Sequence, residues 1–137
     1  MRKVEKVNIV PCSGIGKTFG SVSRLAAYYL TEDDRPEETS LVPLALLVLG
    51  DEETNQTVRT NPSITLDGCK LQCAKKVIGE CGGQIARDLV VLDVYREHRE
   101  LKSSGIAELN EEGQQLARAL ADAVIPLIDQ TKGGNHA

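Results

Sequence analysis

Aromatic residues are nearly absent from this chain of 137 residues: one Phe, three Tyr and no Trp. Lys and Arg number 16 against 20 Asp and Glu, a net charge of −4, and no long basic run offsets that balance. A nucleic-acid binder needs cations to neutralise phosphates and rings on which bases stack, so a nucleic-acid partner is excluded. Long apolar runs are also missing. None approaches the ~18 residues of a membrane span, and Met1-Arg2-Lys3-Val4-Glu5-Lys6 enters a strand without the apolar segment of a signal peptide. The expectation is a cytoplasmic protein with no membrane partner. In that reducing compartment the four cysteines, Cys12, Cys69, Cys73 and Cys81, are expected to bind metal, to react, or to lie buried, rather than to form disulfides.

What is present is an alternation of strand and helix signals. Val7-Asn8-Ile9-Val10 is β-like and stops at Pro11-Cys12-Ser13-Gly14-Ile15-Gly16-Lys17-Thr18. A helix follows, with Val22, Leu25, Ala26, Tyr29 and Leu30 at the spacing of one packed face, ending in the polar turn Glu32 to Pro36. Thr39 to Val42 reads as a second strand. Leu44 to Leu49 is apolar without period, so strand and buried helical turn stay equally open. Asp51 to Arg59 is helix-compatible, and Asn61-Pro62 turns into a third strand at Ile64-Thr65-Leu66. A short helix is expected over about Cys69 to Glu80, a fourth strand over Asp88 to Val94, and a charged irregular stretch over Tyr95 to Leu109. Asn110 caps a last helix with Leu116, Leu120, Ala123, Val124 and Leu127 as its core stripe and Pro126 as a kink. The pattern predicts an α/β fold: one three-layer, Rossmann-like domain over 1–130, with about four mostly parallel strands and helices on both faces. Residues 131–137 are expected to form a disordered tail.

The organising stretch is Ile64 to Cys73. Its strand breaks at Asp67-Gly68, and Asp67 is a good N-cap. On the expected helix Cys69 and Cys73, four apart, share one face at roughly 6 Å between Cβ atoms and are able to share a metal ion. The positive end of the helix favours their thiolate form. The plainer alternative is that they are small buried hydrophobes. In parallel α/β sheets ligands bind outside the carboxyl ends of the strands. Cys12 follows strand one and Cys69 and Cys73 follow strand three, so the three thiols converge if those strands are neighbours. Cys81 falls about 18 Å along the helix from Cys69, too far to join. His98 sits in a charged run and His136 in the tail, and neither is expected to ligate.

The loop after strand one holds Ser13, Gly14, Gly16 and Lys17, whose amides and charge form a candidate anion-binding nest at a helix start. It matches a Walker A loop at Gly16-Lys17-Thr18, but Pro11 stands where the first glycine belongs and spoils the cradle. A dinucleotide fingerprint fails at Phe19. A nucleotide-binding protein is therefore the weakest reading.

Asp67-Gly68-Cys69, Cys73-Ala74-Lys75 and Pro11-Cys12-Ser13-Gly14-x-Gly16-Lys17 together resemble the DGC-motif domain, a small prokaryotic family regarded as zinc-binding from its cysteines and without an assigned activity. The resemblance spans about Val7 to the last helix. It implies Zn as the cofactor, with Cys12, Cys69 and Cys73 matching the family's motif blocks. Four cysteine ligands are ascribed to the family, and where a further one is expected this chain has Leu41-Val42-Pro43. Three protein ligands leave a coordination position open, the arrangement of catalytic zinc, here facing a small anion or thiol ligand near Lys17. The competing function is a metal-free thiol enzyme using Cys12 or Cys69 in redox or group transfer. Neither a substrate nor an oligomeric state follows from these residues.

Overall fold

The computed structural model describes residues 6–12, 17–68, 71–105 and 108–133. Four strands, β1 (Val7–Pro11), β2 (Thr39–Leu41), β3 (Ser63–Asp67) and β4 (Ile85–Val90), form one sheet in the order β2-β1-β3-β4. Every pairing is parallel. The helices are α1 (Thr18–Tyr28), α2 (Leu44–Val48), α3 (Glu52–Thr60), α4 (Cys73–Glu80), α5 (Val91–Glu97) and α6 (Glu111–Lys132). This is the expected α/β, Rossmann-like architecture. Among the described residues no helix is long and apolar enough to cross a membrane.

Alternation along the strands assigns the helices to the two faces. Val7 and Ile9 of β1 and Ile64 and Leu66 of β3 pack against Val22, Ala26 and Leu30 from α1 and its extension and against Leu116, Leu120 and Val124 of α6. Val10 and Val42 point the other way and pack with Leu44 and Leu47 of α2, Val58 of α3, and Ala74 and Ile78 of α4. Each buried Val, Leu or Ile among them contributes roughly 1.5–3 kcal/mol. The second face also buries a polar row, Asn8, Ser63, Thr65 and Asp67. The Asn8 side-chain nitrogen donates to the carbonyls of Thr57 (3.2 Å) and Asn61 (3.1 Å), tying the end of α3 to β1, while its Oδ1 is buried without a partner among the described residues.

The chain moves from β1 outward to β2, crosses back to β3 on the other side of β1, and continues to β4. The order thus reverses between β1 and β3. Since α1 leaves β1 toward one face and α4 follows β3 on the other, a crevice opens at their carboxyl ends, where ligands bind in sheets of this kind.

Several boundaries differ from expectation. The apolar run Leu44 to Leu49 resolves as helix α2. The expected fourth strand, Asp88 to Val94, is β-structure only as far as Val90; Val91 to Glu97 is helical. Val90 is paired with Asp67, the last residue of β3, so the ladder has no partner beyond it and the chain turns into helix. Val90 and Val91, on either side of the change, are both buried, so the apolar pattern did not mark it. The helix after β3 begins at Cys73, not Cys69. Helix α1 continues as a π-helical turn, Tyr29–Asp34, and Thr39 seals it by donating to the Arg35 carbonyl at 2.7 Å. Helix α6 runs through Pro126 to Lys132 with Thr131 buried, so the start of the expected tail is helical; residues 134–137 lie outside the described residues.

Candidate metal centre

Cys12 directly follows β1, at the carboxyl edge of the sheet. Its main-chain N–H donates to the Leu66 carbonyl (2.9 Å), which extends the β1–β3 ladder by one bond and fixes where the side chain emerges. The Sγ is buried, and the main-chain N–H of Gly68 donates to it at 3.2 Å. It also lies 3.5 Å from Ser23 Oγ. The Ser23 hydroxyl donates to the Gly20 carbonyl (2.8 Å), so its oxygen is the acceptor toward a protonated Cys12. An N–H aimed at sulfur stabilises the thiolate, the form that binds metal or attacks an electrophile.

Gly68 must be small. A Cβ there would sit 3.1 Å from the Gly20 nitrogen, 3.1 Å from the Phe19 carbonyl carbon and 3.3 Å from Cys12 Sγ. The end of β3 therefore presses on the first turn of α1 with the cysteine between them.

Asp67 is 1 % exposed. Its carboxylate accepts the N–H groups of Ala74 (2.7 Å) and Lys75 (3.3 Å), and so caps α4 from across the turn. The residue that precedes the helix, Gln72, cannot do so: it is left-handed, with φ 52°, and makes no side-chain cap. The Gln72 amide instead donates to Asp88 Oδ2 (2.5 Å), and the Thr65 hydroxyl donates to Asp88 Oδ1. Burial first, and the hydrogen bond of its carboxyl toward Asp88 second, push the Asp67 carboxyl up to about 7 from 3.8, against the pull of the Ala74 N–H. An acid at that position holds or releases a proton near neutrality, beside the thiol edge.

The strands that lead to Cys12 and to Gly68 are neighbours, the condition for the thiols to converge. Cys69 itself, with Ser13, Gly14 and Gly16, lies outside the described residues. Cys73 is the first residue of α4 and exposed, not the second cysteine of a helical pair, because the turn before it closes through Gln72. Lys17 precedes α1 in extended conformation, is exposed and supplies no side-chain cap. Cys81 is half-buried at the far end of α4, where its carbonyl accepts from Arg59 Nε (3.1 Å). His98 follows the last residue of α5 and faces Glu100 at 3.7 Å. Among the described residues no three of His, Cys, Asp and Glu form a group able to hold a metal ion. Of the three thiols, Cys12 and Cys73 lie among the described residues, and sulfur is a donor type that zinc accepts.

The Asp67–Asp88 pair was not foreseen. Its signal in the sequence is one carboxylate in each of the third and fourth strands, but the two are read together only once the register sets Thr65 opposite Asp88.

Neither a curated protein nor a solved structure matches the chain. The family model of the DGC domain matches residues 8–120, a span that runs from β1 through the Asp67-Gly68-Cys69 motif to the first ten residues of α6. The chain belongs to the DGC domain family.

Proposed function

We propose that this protein binds zinc through the thiolates of Cys12, Cys69 and Cys73 at the reversal between β1 and β3, with one coordination position left for a small anion or thiol. The observation that carries this reading is the Gly68 N–H on Cys12 Sγ at 3.2 Å. It sets the thiol of one strand against the residue covalently bonded to Cys69 in the next, at the sheet edge where ligands bind. When bound, zinc in a site with three protein ligands supplies a Lewis acid with one exchangeable position. The chain's own part is to orient the Cys12 sulfur through the Gly68 amide, to anchor the start of α4 through Asp67 on its amides, and to place the Lys17 charge at the start of α1 on the same edge. Asp67, with its carboxyl near 7, is positioned to hold a proton there.

Protein purified without chelator is expected to carry close to one zinc per chain. Cys12→Ser and Cys69→Ser should lose most of it, since water replaces a thiolate poorly, and Cys81→Ser should keep it. If elemental analysis finds no metal and zinc titration of reduced protein shows no binding, this reading fails. The same Cys12 environment would then favour a metal-free thiol enzyme.

A further inference from the structure

We infer that the cleft between α1 and the loop leading into α6 binds a small organic monocarboxylate with an apolar body. The cleft measures about 320 Å³, at the lower end of the roughly 300–1,000 Å³ typical of small-molecule sites. Leu25, Tyr28 and Leu109 give it apolar walls, and Arg24 is the cation among them. Arg35, Arg96 and Arg118 each pair with a carboxylate. Arg24 does not: its Nη2 donates to Ser21 Oγ (3.1 Å), and its Nη1 is buried without an acceptor among the described residues. A guanidinium is charged at every accessible pH and presents a planar fork that matches the two oxygens of a carboxylate. The missing partner is therefore a carboxylate, and the walls call for an apolar remainder. Glu108, exposed on the same cleft, repels a second negative charge and so disfavours phosphate against a monoanion. The site is separate from the thiols. Ser21, Leu25 and Tyr28 lie on the side of α1 turned away from Ser23, the residue that meets Cys12.

The test is a titration of ¹⁵N-labelled protein, followed by NMR, with benzoate, its uncharged analogue benzamide, and inorganic phosphate. Benzoate is expected to give saturable shifts at the Arg24 side chain and at the amides of Leu25 and Tyr28, in the millimolar range suited to so small a ligand. Benzamide should bind about tenfold more weakly or worse. Arg24→Met keeps the apolar stem and should abolish the benzoate response while leaving the circular dichroism unchanged; if that variant does not fold, the benzoate-to-benzamide contrast in the unaltered protein decides. Equal binding of benzoate and benzamide would mean an apolar hollow with no role for the charge. A stronger response to phosphate at the same residues, an undiminished benzoate response in Arg24→Met, or no saturation by benzoate would each overturn the inference.

Discussion

The main-chain N–H of Gly68 meets the sulfur of Cys12 at 3.2 Å, so the turn that ends β3 closes directly on the residue that ends β1. No side chain could stand between them. In Gly68→Ala the new methyl would press on the backbone at Phe19 and Gly20 and on the thiol itself. Two of those three neighbours are main chain and cannot rotate aside, so a loss of about 1–2 kcal/mol is expected. Urea denaturation of the two proteins measures it. An unchanged midpoint would mean that α1 shifts freely.

The Asp67 carboxyl binds its proton more tightly in the folded chain, at about 7, than at the ordinary 3.8. Its stabilising contribution is therefore fully present below about pH 4. It is lost as pH rises toward 7, because over that window the unfolded chain gains an ionised carboxylate that the folded chain withholds. Asp67→Asn has no such proton. Stability measured in chelator across this range should give a wild-type-minus-variant difference that falls with rising pH and levels off above about 7. Parallel curves would contradict the raised Asp67 carboxyl.

Asn110 caps α6 and also closes the preceding loop. Its Oδ1 accepts the N–H groups of Gly113 (2.8 Å) and Ser104 (2.9 Å), and its Nδ2 donates to the Lys102 carbonyl (3.0 Å). Asn110→Ala should cost about 1–2 kcal/mol, the upper part of the usual range for an N-cap, because a loop is released as well. The thermal midpoint reports it; a shift too small to measure would mean that the Glu111 and Glu112 charges in the first turn suffice.

Two apolar clusters cover the two faces of the sheet without help from any metal. Chelation should thus lower the melting temperature yet leave the helical circular dichroism intact, unlike a zinc finger, whose fold depends on its ion. Unfolding by chelator alone would assign the metal a structural role.

Cobalt substitution tests the open coordination position. A tetrahedral spectrum that shifts on addition of a small thiol or anion is expected, with the anion response weakened in Lys17→Ala and the metal affinity nearly kept. A four-thiolate spectrum indifferent to added ligands would mean a closed site.

Local chemistry was readable from the chain alone. The Asn110 cap needs only an acceptor three residues before a free amide, and the α1 stripe and Leu116, Leu120 and Val124 of α6 need only the 3.6-residue period; Ala123, expected in the α6 stripe, is exposed, and Ile128 is buried instead. The alternation of strands and helices implied a parallel α/β sheet. The tertiary structure decided the rest, because it depends on which strands become neighbours. The order β2-β1-β3-β4 brings Cys12 to the Asp67-Gly68 turn, 56 positions further on. The start of α4 was misplaced because its cap is not its own neighbour: Asp67 reaches the Ala74 amide over a turn that Gln72 holds through Asp88. That carboxylate pair exists only through the β3–β4 register. The end of β4 was set by where its partner strand stops, a boundary that the apolar run from Leu89 to Leu92 does not mark, since Val90 and Val91 on either side of it are both buried.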